Sequence, residues 1–161
     1  MRRTFAVLLA ATAVVSACGG DDGGSEEATE APACDPVGEG GGRPVAVTLR
    51  EFTVSPEPAS VAAGEVTFDL RNEGAEPHEL VVVRAASPAE LAVVDGRVDE
   101  DALPAGAFIG EVESFAAGET CEGTFELTAG RYVLFCNLVE EEDGDAESHF
   151  LEGMAATFEA T

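Results

Sequence analysis

The sequence predicts an all-β protein: an antiparallel β-sandwich with a short helical insertion near residues 88–94. Three observations predict it. Apolar and polar residues alternate over short stretches, Gly, Pro and Asn signals separate those stretches, and about seven of them fall within residues 43–161. Val45, Val47 and Leu49 alternate with Ala46, Thr48 and Arg50, the period of a half-buried strand. Val66, Phe68 and Leu70 alternate with Thr67, Asp69 and Arg71, between Gly64 and the turn Asn72-Glu73-Gly74. Residues 80–83 form a short continuous apolar run, and residues 108–115 alternate less cleanly. Thr124, Glu126 and Thr128 face one way, Phe125 and Leu127 the other; Ala129-Gly130 is a turn, residues 132–135 are apolar, and residues 155–160 form the last strand. Ser87-Pro88-Ala89-Glu90 has the Ser, Pro and Glu of a capped helix start, so a helix is expected from there to about Val94, ending at Asp95-Gly96.

Composition narrows the function. The chain has 161 residues, with 32 Asp and Glu against 8 Lys and Arg, and a net charge of −24. With this charge, carried against only eight Arg and no Lys, no cationic surface exists for phosphate contacts, and nucleic acid is excluded as a partner. Charge-driven attachment to anionic lipid is excluded likewise. With no Trp and one Tyr, an aromatic platform for sugars is poorly supplied.

Residues 1–17 read as an export signal: a basic start at Arg2 and Arg3, then an apolar run over residues 5–15, too short to span a bilayer. Val15-Ser16-Ala17-Cys18 resembles a bacterial lipobox, which implies cleavage before Cys18 and acylation of its thiol. The alternatives are an ordinary signal peptide with an incidental Cys and a twin-arginine signal, although Arg2-Arg3 lacks the polar extension before it. Cleavage removes two Arg and leaves a charge of −26. Residues 18–42, rich in Gly, Glu, Asp, Ser, Ala and Pro, read as a flexible acidic tether spanning about 25–30 Å. The expected product is exported and lipid-anchored at the cell membrane, facing the periplasm or the exterior.

The scarce residues carry the chemistry. The two histidines are His78 and His149, and the mature chain has one methionine, Met154. Cys136 ends an apolar strand, His149 and Met154 sit five residues apart before the last strand, and His78 precedes the strand at 80–83. A thiolate, two imidazoles and a weak thioether are the ligands of a blue copper centre. Such a set suits neither Cu(I) nor Cu(II) strongly, and a stiff sandwich keeps the geometry change small when an electron moves. Zinc is the alternative metal, but a methionine ligand would be odd for it. A two-copper centre needs two cysteines in this loop, and there is one.

At these residues the chain resembles the cupredoxins, the blue copper family of plastocyanin, azurin and halocyanin. The resemblance runs through Phe52-Thr53-Val54-Ser55-Pro56, Ala63-Gly64-Glu65-Val66-Thr67-Phe68 and Asn72-Glu73-Gly74 with Pro77-His78-Glu79-Leu80-Val81-Val82. It continues through Gly130-Arg131-Tyr132-Val133-Leu134-Phe135-Cys136-Asn137 and His149-Phe150-Leu151-Glu152-Gly153-Met154, covering most of residues 43–161. It implies a Greek-key sandwich holding one type 1 copper through His78, Cys136, His149 and Met154. It also implies that the backbone N–H of Glu79 donates to the Cys136 sulfur, and that the His149 imidazole edge reaches the surface as the electron port. Two departures stand out. Twelve residues separate Cys136 from His149 where relatives often have a few, and Glu79 stands where many have Asn.

Cys34 and Cys121 remain. An exported chain pairs them in an oxidising compartment; two free thiols are the alternative, since spacing alone does not decide connectivity. The acidic run at 140–147 lacks the spaced pattern of a calcium loop and reads as a solvated charged loop, placed to steer a basic docking surface on a redox partner. No Ser/His/Asp arrangement, phosphate loop or haem motif is present, so no enzyme is expected. The leading expectation is a tethered single-electron carrier with protein redox partners. Its competitors are an envelope copper chaperone or scavenger on the same fold and a cupredoxin-fold interaction module that no longer needs copper.

Overall fold

The computed structural model describes residues 32–142 and 145–161. The expected signal peptide, Cys18 and the first part of the tether lie outside the described residues. Thirteen strands occur among the described residues: β1 (Arg43–Arg50), β2 (Thr53–Glu57), β3 (Ser60–Val61), β4 (Gly64–Asn72), β5 (His78–Val83), β6 (Val93–Val94), β7 (Arg97–Val98), β8 (Phe108–Phe115), β9 (Thr120–Leu127), β10 (Gly130–Phe135), β11 (Val139–Glu142), β12 (Asp145–Ser148) and β13 (Ala155–Ala160). They form a four-stranded sheet in the order β2-β1-β4-β9, a five-stranded sheet in the order β3-β13-β10-β5-β8, and two small ribbons, β6-β7 and β11-β12.

The inward residues of β1 and β4 (Val45, Val47, Leu49, Val66, Phe68 and Leu70) meet Leu80, Val82, Leu134 and Phe158 from the other sheet in one core. Alternation in β1 and β4 thus marks a sheet with one wet face. β5 and β10 read as continuous apolar runs for a different reason. Their other face, Val81, Val83, Val133 and Phe135, packs under Leu91 and Val98 of the 84–104 insertion, so both faces are dry.

Two expectations are corrected. The sheets are mixed rather than wholly antiparallel, because β1 pairs with β4 and β13 with β3 in parallel. After the β1–β2 hairpin the chain crosses to the edge of the second sheet at β3 and returns beside β1, so a further reversal intervenes; residue alternation carries no strand direction. The insertion is not a helix through Val94. A single 3₁₀ turn spans Pro88–Glu90, Ser87 makes no side-chain cap, and the Glu90 carboxylate instead accepts from Ala86 N at 2.9 Å. The chain then forms the β6–β7 ribbon, whose turn is Asp95-Gly96 at φ 49° and 82°. Both values are positive, as a tight two-residue hairpin turn requires, so the pair closes a hairpin instead of ending a helix.

Residues 32–42, placed in the tether on composition, run against the edge of the sandwich. Cys34 is disulfide-bonded to Cys121. Val37 donates to Glu122 O at 3.1 Å and accepts from Thr124 N at 2.8 Å, covering the open side of β9.

Replacing Cys34 and Cys121 together by Ser frees the 87-residue separation. By loop entropy this lowers stability by about 4–5 kcal/mol, read by guanidinium unfolding, with the native β-sheet circular dichroism retained in water.

Candidate metal centre

The five-stranded sheet brings the expected donors to one end. β10 pairs antiparallel with β5, Phe135 opposite Val81, and with β13, Phe135 opposite Ala155. The end of β10, the start of β5 and the start of β13 therefore coincide. Cys136 follows β10, His78 opens β5, and Met154 precedes β13. Cys136 N donates to Met154 O at 3.1 Å, and Met154 N to His149 O at 2.9 Å, which ties the thiol, thioether and second imidazole into one turn.

The described residues between Cys136 and His149 are no slack loop. β11 and β12 form a ladder with Val139 opposite Ser148, and His149 N donates to Leu138 O at 3.0 Å. The ribbon leaves the site and returns His149 to within two residues of where it left.

Cys136 Sγ lies 3.3 Å from His149 Nδ1, and the His78 and His149 rings meet edge-on with centroids 5.2 Å apart. The donor atoms of His78, Cys136 and His149 all lie within 4.8 Å of one another. These three residues and Met154 are buried, Met154 in the same apolar cluster as Cys136. His78 Nδ1 is buried without a hydrogen-bond partner, whereas its Nε2 lies 3.1 Å from Glu51 Oε1. A buried ring nitrogen left over beside a thiol and a second imidazole fits a metal ion. The sulfur content of the set suits copper better than zinc.

Burial sets the protonation of these groups. It lowers the pKa of His78, further lowered by His149 and opposed by Glu51, and it lowers that of His149 against the pull of Glu140, Glu147 and Glu51. Burial also pushes the Cys136 thiol up to about 12, although the backbone N–H groups of Glu79 and Leu138 act in the other direction. Without a metal the centre is a thiol with neutral imidazoles. A cation supplies the charge that a thiolate needs here.

One expectation drawn from the resemblance is corrected. The His149 edge does not reach the surface: its exposure is 0%. Phe52, at the β1–β2 turn, stacks edge-on against the ring at 5.4 Å, and Glu76 Oε2 lies 3.4 Å from Nε2.

Several further residues support the donors, and of these the sequence reading gave a site role only to Glu79. Asn72 is fully buried and donates to Glu76 O at 2.7 Å and Phe115 O at 3.2 Å, while its own Oδ1 accepts from Gly74 N, shaping the turn before His78. Asn137, next to Cys136, pairs with the insertion: Val98 N donates to its Oδ1 at 2.6 Å, and its Nδ2 donates to Val98 O at 3.1 Å. Arg97 donates to Asn137 O at 2.8 Å and Val139 O at 3.3 Å, and Ser148 Oγ donates to Gly96 O. Glu79, beside His78, accepts from Asn137 N at 2.8 Å and so bridges the segments carrying two donors. The asparagines were visible only as a turn signal and as part of the resemblance; in a chain this acidic, no signal marked Glu51 or Glu76.

No family model matches the chain, and no curated protein matches it in sequence. Solved structures do. Sodium-dithionite-reduced auracyanin from the photosynthetic bacterium Roseiflexus castenholzii is 18% identical over 76% of this chain and 99% of that one, with a TM-score of 0.55. Auracyanin B is 22% identical over 81% and 98%, also at 0.55. Auracyanin A from the green thermophilic photosynthetic bacterium Chloroflexus aurantiacus, described as a blue copper protein, is 19% identical over 73% and 99% at 0.45. The first two likenesses show that the chain has the cupredoxin fold.

Burial raises the Glu79 carboxyl to about 7 from an ordinary 4.5, with Glu111 and Glu100 adding to it and the Asn137 N–H opposing. The folded state thus keeps a proton that the unfolded chain gives up above about pH 4.5. This contribution is full below that pH and is lost as pH rises through 7. Glu79 alone should cost the metal-free protein about 3 kcal/mol between pH 4.5 and 8, against the opposite contribution of His78 and His149, and the pH-dependent difference between wild type and Glu79→Gln in urea unfolding reads it.

Proposed function

We propose that the protein is a membrane-tethered electron carrier holding one type 1 copper ion through His78, Cys136, His149 and Met154. The observation that carries this reading is the convergence of three buried side chains, His78, Cys136 and His149, with Nδ1 of His78 left without a hydrogen-bond partner. Bound copper supplies a one-electron couple, Cu(I)/Cu(II). The chain supplies the rest. Cys136 offers a thiolate soft enough for the reduced ion, and the imidazoles offer nitrogen for the oxidised one. The sheet end and the Asn137 contacts resist rearrangement between the two states, which favours rapid exchange. The auracyanin likeness and the absence of any catalytic triad or phosphate loop support a carrier in preference to an enzyme.

Copper handling is the competing reading. A chaperone or scavenger passes its ion on by ligand exchange, which calls for a donor open to the acceptor. His78, Cys136, His149 and Met154 are all at 0% exposure, which favours keeping the ion and moving the electron. Protein redox partners with a basic docking surface suit the carboxylates around the covered His149, among them Glu51, Glu76, Glu140 and Glu147. The electron then crosses the Phe52 and Glu76 cover. Lipid anchoring rests on the Cys18 motif, and no helix among the described residues is long and apolar enough to cross a membrane.

Residues 19–161 with one equivalent of Cu(II) should show an intense thiolate-to-copper absorption band and narrow copper hyperfine splitting in EPR, lost on reduction and regained on reoxidation. Cys136→Ala should remove the colour and leave the sandwich folded, and Met154→Leu should keep the colour and raise the potential; colour surviving in the Cys136 variant overturns the ligand set. In cells, Cys18→Ser should shift the protein from the membrane fraction to the soluble one, and retention in the membrane would refute lipid anchoring.

A further inference from the structure

Two carboxylates face the ring nitrogens that the donor cluster leaves over. Glu51 occupies the two-residue turn between β1 and β2. Its Oε1 accepts from Ala75 N at 2.8 Å and Glu76 N at 2.9 Å, and lies 3.1 Å from His78 Nε2. The carboxylate is thus fixed by two backbone donors before it meets the imidazole. The space is fitted to this contact: a Cβ at Gly74 would overlap both Glu51 Oε1 and His78 Nε2. On the other ring, Glu76 Oε2 lies 3.4 Å from His149 Nε2, and a carboxylate oxygen of Glu140 lies within 4.8 Å of a ring nitrogen of His149 and a carboxylate oxygen of Glu76. Glu76 is set in place through its own backbone, its N–H held by Glu51 and its carbonyl by Asn72 Nδ2. Asn72, Glu76, Glu51 and His78 form one connected chain of contacts.

We propose that Glu51 and Glu76 are positioning residues, one for each imidazole: Glu51 holds the His78 ring by Nε2, Glu76 lies against Nε2 of His149, and the two carboxylates together turn Nδ1 of each ring toward the metal and favour its oxidised state. The inference rests on the copper reading above. An imidazole whose Nε2–H points at a carboxylate is locked in the tautomer with a lone pair on Nδ1 and becomes a more basic ligand. Charge acts in the same direction. With a thiolate ligand the Cu(II) centre carries one net positive charge and the Cu(I) centre none, so two nearby anions stabilise the former more. The competing reading is that Glu51 only caps the 74–76 turn and Glu76 only covers the ring. Glutamine separates the two, because its carbonyl oxygen still accepts the Glu51 hydrogen bonds and still fills the Glu76 position against the ring while the charge is gone.

The test is the midpoint potential of the copper-loaded protein, measured by spectroelectrochemistry on wild type, Glu51→Gln, Glu76→Gln and their combination. Glu126→Gln, on an exposed position of β9 near the opposite end of the sandwich, serves as the control. Each single variant should stay blue and shift the ratio of reduced to oxidised protein about tenfold toward reduced at a fixed poise, ~59 mV for a one-electron couple. The control should move little, and single-variant shifts no larger than the control's overturn the charge role. The metal-free protein gives a second readout. Imidazole ¹⁵N–¹H spectra should show His78 as the Nε2–H tautomer, and the Nδ1–H tautomer overturns the positioning role. A wild type that never turns blue refutes the copper reading, and the tautomer measurement then still decides whether Glu51 holds the ring.

Discussion

The hydrogen bond from Cys136 N to Met154 O continues the β10–β13 ladder one step past the strands, and the geometry of the site depends on it. It makes the thiol and the thioether carriers neighbours by backbone register, before any side-chain contact. β10 can impose that register because it lies between β13 and β5 and is packed on both faces. A strand with a wet face can twist and fray; one dry on both sides has no such freedom. The 84–104 insertion supplies the second dry face, and its ribbon also holds Asn137 and Val139. One segment of chain therefore stiffens the strand that ends in Cys136 and anchors the residue after it.

That arrangement removes the difficulty posed by a long connection between two donors. Twelve free residues would let His149 sample many positions, at a cost in entropy on each ligation. Zipping most of them into β11–β12 turns the loop into a ribbon, and the His149 N to Leu138 O contact sets its base. Glu79 adds a further tie by accepting from Asn137 N. A carboxyl at that position reaches across to a neighbouring backbone, so the departure from Asn is compatible with an ordered site.

Much of this was legible in the residues. β1 and β4 have one wet face and therefore alternate, and β5 and β10 have none and therefore run apolar; both patterns survive in sequence because burial writes them there. The four donors were legible because His, Cys and Met are scarce in this chain and fall at strand ends. β2 was hidden by Pro56 and by its place at a sheet edge, where one side of the ladder is free to tolerate proline. The β6–β7 ribbon was hidden because two-residue strands carry no period, and Asp95-Gly96 serves a hairpin as well as a helix end. Glu51 and Glu76 were hidden for a statistical reason. Among 32 acidic residues, nothing local distinguishes the two that face imidazoles, and only the tertiary fold brings the β1–β2 turn against the 74–76 turn.

The same two turns close the site from water, and this sets opposing demands on an electron carrier. Excluding solvent lowers the polarisation that must rearrange when the ion changes charge, which speeds exchange. It also places Phe52 and a carboxylate between His149 and any partner. In the proposed carrier, an approaching partner meets negative charge before it meets the ring, so a cationic surface gains most where the electron must cross, and ions in solution weaken that gain. Selectivity and shielding then come from one structural element. An exposed imidazole would admit any reductant that could touch it, whereas a covered one admits a partner whose charge fits the cover.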